Sequence, residues 1–175
     1  AIVSADDISG QRIRAFNATS FTFLKKLGAA PVELPFGELA AAVAAGTVDG
    51  AATSTSTGAN SKLYQFTSHF NPLNWSMSPD AVTVNLDAWN ALSHEERNAI
   101  QGLADKMEAE FWAASANEDE SKTAVLVENG MTVSMADDSM KAKMAEAGKS
   151  MWADFFAKVP RAQAVVDAYA AKVGK

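Results

Sequence analysis

The chain has 175 residues, enough for one sizeable core or two small ones, and its 48% hydrophobic and 21% charged residues are ordinary for a globular protein. A formal net charge of −6 argues against a nucleic-acid footprint, and no apolar run approaches the roughly 20 residues that a membrane-crossing helix needs. Cysteine is absent, which removes disulfides, thiolate metal sites and cysteine nucleophiles together.

In chain order, residues 6–10 read as a turn, and a strand follows over 12–16. Thr19 or Ser20 is placed to cap a helix that runs through Leu27 and is ended by Gly28. A short strand is predicted over 31–34, a helix over 36–45 stopped by Gly46, and a third strand over 48–52. This alternation of strands and helices implies a parallel sheet with right-handed crossovers, an α/β architecture. Residues 53–60 are rich in serine and threonine and read as a loop at the end of a strand. Residues 61–77 carry Tyr64, Phe66, Phe70 and Trp75 with no clean period. A further strand is expected over 81–85 and a short helix over 86–91.

The clearest element comes next. Ser93 and Glu96 form a capping box, and behind it Ile100, Leu103, Met107, Phe111 and Ala114 recur at helical spacing. With no proline before Gly130, this helix extends over ~34 residues, or about 50 Å. Such a length exceeds a small domain, so the helix must brace two bodies or protrude. A short strand over 131–134, a helix over 138–157 and a last helix after Pro160 complete the chain.

Few residues offer chemistry. His69 and His94 are the only histidines and form no HxxxH pair, so a transition-metal site is poorly supported. Neither a nucleophile elbow nor a phosphate-binding glycine loop is present. The hydroxyls of residues 53–57 have no evident base beside them, and acidic pairs such as Glu95-Glu96 and Asp137-Asp138 suit helix N-termini. Arg14 differs: it falls near the C-terminal end of the first strand, the edge where open α/β sheets place ligands. Its planar guanidinium matches a carboxylate and keeps its charge when partly desolvated. The alternative is that Arg14 lies on the surface and pairs with Asp6 or Asp7. Phe36, after Pro35, is a hydrophobic staple, core packing or a pocket wall. Trp75, beside Asn74, lines a cleft or hinge or is partly buried under the long helix.

Several ordered segments resemble one family. Residues 7–14, DISGQRIR, are similar to the "D-L-K-G-L-K-I-R" opening of the solute receptors of TRAP-type transporters. The likeness continues through LGAAPV at 27–32, Phe36-x-Glu38-Leu39, and AAGTVDG at 44–50, which is similar to "Q-x-G-V-V-D-G". Farther on, VNLDAWNAL at 84–92 followed by Ser93-His94-Glu95-Glu96-Arg97 resembles the family's "x-N-x-x-x-W-x-x-L" and "P-E-E-x-R".

The resemblance implies a periplasmic-binding-protein-like (type II) fold, in which two α/β lobes enclose a ligand cleft and one long helix spans them. Residues 1–77 and 118–175 would form the C-terminal lobe, and 78–117 would return to an N-terminal lobe that this chain largely lacks. It also implies a receptor rather than an enzyme, with no cofactor, extracytoplasmic in the bacterial periplasm. Its partners would be a small organic acid and the membrane permease subunits. In the family an arginine grips the ligand carboxylate, which matches Arg14; a phenylalanine walls the pocket, which matches Phe36. The contact after the "D-G" pair falls on Thr53 or Ser54, where many relatives have "D-G-x-E-N" and this chain has Asp49-Gly50-Ala51-Ala52-Thr53. Asn74 and Trp75 lie where the chain crosses between lobes. In the shortened chain, the 81–85 strand is expected to expose an edge that invites dimerisation. Two other functions remain open on the residues alone: a small α/β hydrolase or transferase using the 53–57 loop, and a helical interaction module built on the long acidic helix.

Overall fold

The computed structural model describes residues 1–76 and 81–173. Its centre is strand β1 (Arg12–Ala15), in which Ile13, Arg14 and Ala15 are all buried. Strand β2 (Ala30–Glu33) pairs with β1 on one side and strand β3 (Gly50–Ala51) on the other, both parallel, in the order β2-β1-β3. A parallel sheet needs crossovers, here helix α1 (Ala18–Lys26) between β1 and β2, then a 3₁₀ turn (Phe36–Glu38) running into helix α2 (Leu39–Ala44) before β3.

The start of α1 lies earlier than the sequence suggests. Asn17 is the N-cap and Ser20 is the third helical residue, so neither Thr19 nor Ser20 caps the helix. The Asn17 side chain accepts from the Ser20 N–H, and the buried Ser20 hydroxyl accepts from the N–H groups of Phe16 and Asn17. A single small side chain thus satisfies the backbone donors where β1 turns into α1. Gly28 closes this helix with φ +95, a conformation that L side chains rarely adopt.

Apolar residues cover both sheet faces. Ile13 and Ala15 of β1 join Phe23 and Leu24 of α1, Leu27 at its C-cap, and Met140 from a later helix. On the opposite face Val32 and Ala51 pack against Leu39 and Val43 of α2, Val48 and Leu63. Arg14 pairs in register with Val32 and Ala51, so strand alternation sets it on this second face.

Residues 55–60 are helical, contrary to the loop expected there. Helix α3 (Thr55–Asn60) is capped by Ser54, whose hydroxyl accepts from the Thr57 N–H. Its partner is helix α5 (His94–Glu128), the 35-residue element announced by the Ser93–Glu96 capping box. Thr55 donates a hydrogen bond to the Asp119 carboxylate, Lys122 donates to Asn60 at 2.8 Å, and Gly58 lies against Leu126. Leu126 is buried with Ala59 and Met131 in a third cluster.

Strand β4 (His69–Phe70) pairs in parallel with β5 (Thr132–Val133); the sequence pattern indicated only the latter. Helices α4 (Leu86–Ala91), α6 (Asp138–Lys158) and α7 (Ala162–Val173) fall close to their predicted places. The strand expected over 81–85 is not formed. A strand is defined by its ladder, and those residues pair with nothing among the described residues, leaving Val82 95% exposed. The edge on which dimerisation was expected to rest is therefore not present as a strand.

Candidate functional site

The C-terminal edge of the β2-β1-β3 sheet gathers most of the residues singled out by sequence. Arg14 is only 4% exposed, and its recorded hydrogen bond runs from Nε to the Leu34 carbonyl oxygen at 3.1 Å, just before Pro35-Phe36. The Arg14 carbonyl accepts from the Ala52 N–H at 3.0 Å, which brings Thr53 and Ser54 to the same edge. Neither Asp6 nor Asp7 pairs with Arg14. Asp7 instead accepts from the N–H groups of Val3 and Ser4. Among the described residues the ion pairs are Arg12–Asp49 and Lys141–Asp138, so Arg14 has no carboxylate partner there. Burial pushes its guanidinium below its ordinary pKa without a neighbouring charge to offset the effect.

Trp75 joins this edge through Phe16, whose ring lies 5.9 Å from the indole, while Trp75 itself stacks on Phe23 at 4.9 Å. The Arg14 guanidinium carbon is 6.0 Å from the Phe16 ring centroid. Sequence reasoning passed over Phe16. Its parity with Arg14, two residues apart at a strand end, was the signal that could have found it.

A cavity of about 940 Å³ is lined by Thr53, Ser54, Asn74 and Trp75 but not by Arg14 or Phe36. Its lining draws on both clusters, with Ile13, Phe23 and Leu27 from one and Val43, Ala51 and Leu63 from the other. Asp7, Asp49, Glu118 and Asp119 also line that cavity, Asp49 being paired with Arg12. Arg14 stands at the sheet edge outside this lining, and Trp75 belongs both to the lining and, through Phe16, to the surroundings of Arg14. Phe36 is 63% exposed on its 3₁₀ turn and packs in no core cluster, so the staple and core roles considered for it are not adopted. Asn74 is exposed with φ 48, a left-handed conformation that asparagine tolerates.

The profile of the family described as "Bacterial extracellular solute-binding protein, family 7", DctP, matches residues 1–159. The chain belongs to this family. A solute-binding protein of Albidiferax ferrireducens is 26% identical over 162 residues, which are 90% of this chain and 48% of that protein. A marine-metagenome TRAP solute-binding protein, specific for pyroglutamate and solved with the co-purified ligand, is 30% identical with a TM-score of 0.81. DctP6 of Bordetella pertussis, an extracytoplasmic solute receptor binding pyroglutamic acid, is 27% identical with a TM-score of 0.84. Both structures match 97% of this chain and 56% of their own length. The chain spans about half the length of the curated relatives it matches. The α/β binding-protein fold is shared with these solved relatives. Among the described residues no helix is long and apolar enough to cross a membrane, and no cluster of potential ligands is poised for a metal ion.

Proposed function

We propose that this chain is the C-terminal portion of the substrate receptor of a TRAP-type transporter, which captures a small organic carboxylate in the bacterial periplasm and delivers it to membrane permease subunits without converting it. The observation that carries the reading is Arg14: a buried cation with no anionic partner among the described residues, standing at the sheet edge where α/β proteins receive ligands. A ligand carboxylate supplies the missing counter-charge. Phe36, Thr53, Ser54, Asn74 and Trp75 surround it in this assignment, with the two pyroglutamate-binding relatives suggesting a compact monocarboxylate.

Residues 1–77 and 118–175 form the C-terminal lobe in this reading, and 78–117 return to the other lobe. The 77/78 boundary itself lies outside the described residues. Ligand contact with both lobes would shift an open–closed equilibrium toward the closed state. The hydrolase alternative loses support because Ser54 caps α3 and Thr55 is bonded to Asp119, so those hydroxyls have structural partners.

Calorimetry on the full-length receptor against a panel of organic acids tests the reading. Arg14→Gln removes a charge-assisted hydrogen bond worth about 1.5–3 kcal/mol, so affinity for the bound acid should fall at least about tenfold. Undiminished affinity in a folded Arg14→Gln protein, or a wild-type receptor that takes none of the acids, would overturn it.

A further inference from the structure

Phe16 sits just past the end of β1, beside the charge assigned above to the ligand carboxylate. It is a large aromatic residue left 39% exposed although a buried apolar cluster begins one residue before it at Ala15. Two contacts hold it there. Its N–H donates to the buried Ser20 hydroxyl at 3.0 Å, and its ring leans on Trp75 at 46°, with Trp75 in turn stacked flat on Phe23 at 9°. The ring is thus positioned before any ligand arrives, which lowers the ordering cost of a contact to it.

A carboxylate held by the fork of Arg14 places its carbon roughly 4 Å from the guanidinium carbon, given N–O distances of about 2.8 Å. The Phe16 centroid is 6.0 Å from that same guanidinium carbon. For a ligand that approaches the fork from the Phe16 side, the atoms attached directly to the carboxylate come within contact range of the Phe16 ring. An aromatic ring prefers a flat partner in offset or edge-on contact to a flexible chain of equal size.

We propose that Phe16 is a specificity-determining residue that selects acids carrying a flat ring next to the carboxylate over open-chain acids with the same heavy atoms. The proposal rests on the receptor reading and adds to it the class of ligand. Trp75 supplies the backing of this wall, and Arg14 supplies affinity common to all carboxylates.

Calorimetry on the full-length receptor with pyroglutamate and with N-acetylalanine, its ring-opened amide counterpart, tests the proposal. Wild type should prefer pyroglutamate. Phe16→Leu, which keeps an apolar side chain, should lose about three- to tenfold in pyroglutamate affinity while N-acetylalanine affinity changes less than about twofold. Phe16→Tyr, which restores the ring, should recover the preference. Equal losses for both acids in Phe16→Leu, no loss for either, or a Phe16→Tyr protein as indifferent as the leucine variant would each overturn the role of Phe16. A receptor that binds other acids of the panel but neither of these two sinks the ring selectivity and leaves the carboxylate reading standing. A receptor that binds no acid at all sinks both.

Discussion

Arg12 and Arg14 lie two residues apart on one strand and are chemically identical, yet their surroundings assign them opposite tasks. Arg12 is partly exposed and binds Asp49 with Nη2 at 2.5 Å and Nε at 3.1 Å. Asp49 also accepts from the Arg12 N–H, so this pair clamps β1 to the residue ahead of β3. Arg14 is buried, donates from Nε to the Leu34 carbonyl, and has no ion-pair partner among the described residues, which is why the proposed function gives it the ligand carboxylate. The side-chain bonds from Arg12 hold the Asp49 carboxyl below the usual carboxylate range. Backbone N–H groups do the same for others: Ser4 for Asp7, Ser93 for Glu96 and Met140 for Asp137. A carboxyl whose folded pKa is depressed contributes stability that is complete above its unfolded value and lost as pH falls through the folded one. Urea midpoints should therefore stay flat from neutral pH to about 5 and decline on further acidification. Asp49→Asn should start lower at neutral pH and decline less steeply. An unchanged slope in that variant would show that the Arg12 clamp contributes nothing to folding, as many exposed pairs do.

Elements show most clearly what local sequence can and cannot specify. Gly28 and Gly58 both stand at helical segments, but only Gly28 has positive φ, and a Cβ on Gly58 would meet Leu126 at an ordinary 3.9 Å. Gly28→Ala should cost about 1 kcal/mol or more through backbone strain. Gly58→Ala should be neutral or stabilising by up to about 1 kcal/mol through helix propensity. Chemical denaturation of both variants checks the opposite signs, and a destabilised Gly58→Ala would mean that α3 and α5 cannot absorb a methyl group.

The capping box of α5 and the glycine ending α1 were legible because both are satisfied within a few residues of chain. Helix α3 was not legible: its serines and threonines favour turns and caps in isolation, and its helical state is secured by Thr55 and Asn60 binding α5 residues more than 60 positions away. Strand β4 was missed for the same reason, since its partner β5 is equally remote. Around the candidate site, sequence placed Arg14 near the C-terminal end of the first strand, where the structure has it. That it has no ion-pair partner among the described residues, and that the aromatic pair Phe16–Trp75 lies beside it, follow from tertiary packing that no local pattern encodes.

At the scale of the molecule, α5 divides into a docked end and an undocked one. Toward its C-terminus Leu126 is buried, and Asp119 and Lys122 bind α3. Toward its N-terminus most of the apolar residues that the helical spacing aligns remain open, with Ile100 44%, Leu103 56% and Phe111 59% exposed. Local bonds support that half: the Ser93–Glu96 capping box, and Gln101 donating to Asp105 at 2.7 Å. Helical segments without tertiary packing are marginal in water even at about 15 residues, so length alone cannot hold the first turns closed. Hydrogen exchange on the 175-residue chain should find amides of 118–128 protected near the global limit and those of 97–112 exchanging at least about 100-fold faster. Adding the remaining half that the relatives possess should raise protection of 97–112 specifically, as the stripe gains a partner. Uniform protection along α5 in the isolated chain would mean instead that two copies cover each other's stripes, and a protection pattern that rises with protein concentration would establish it.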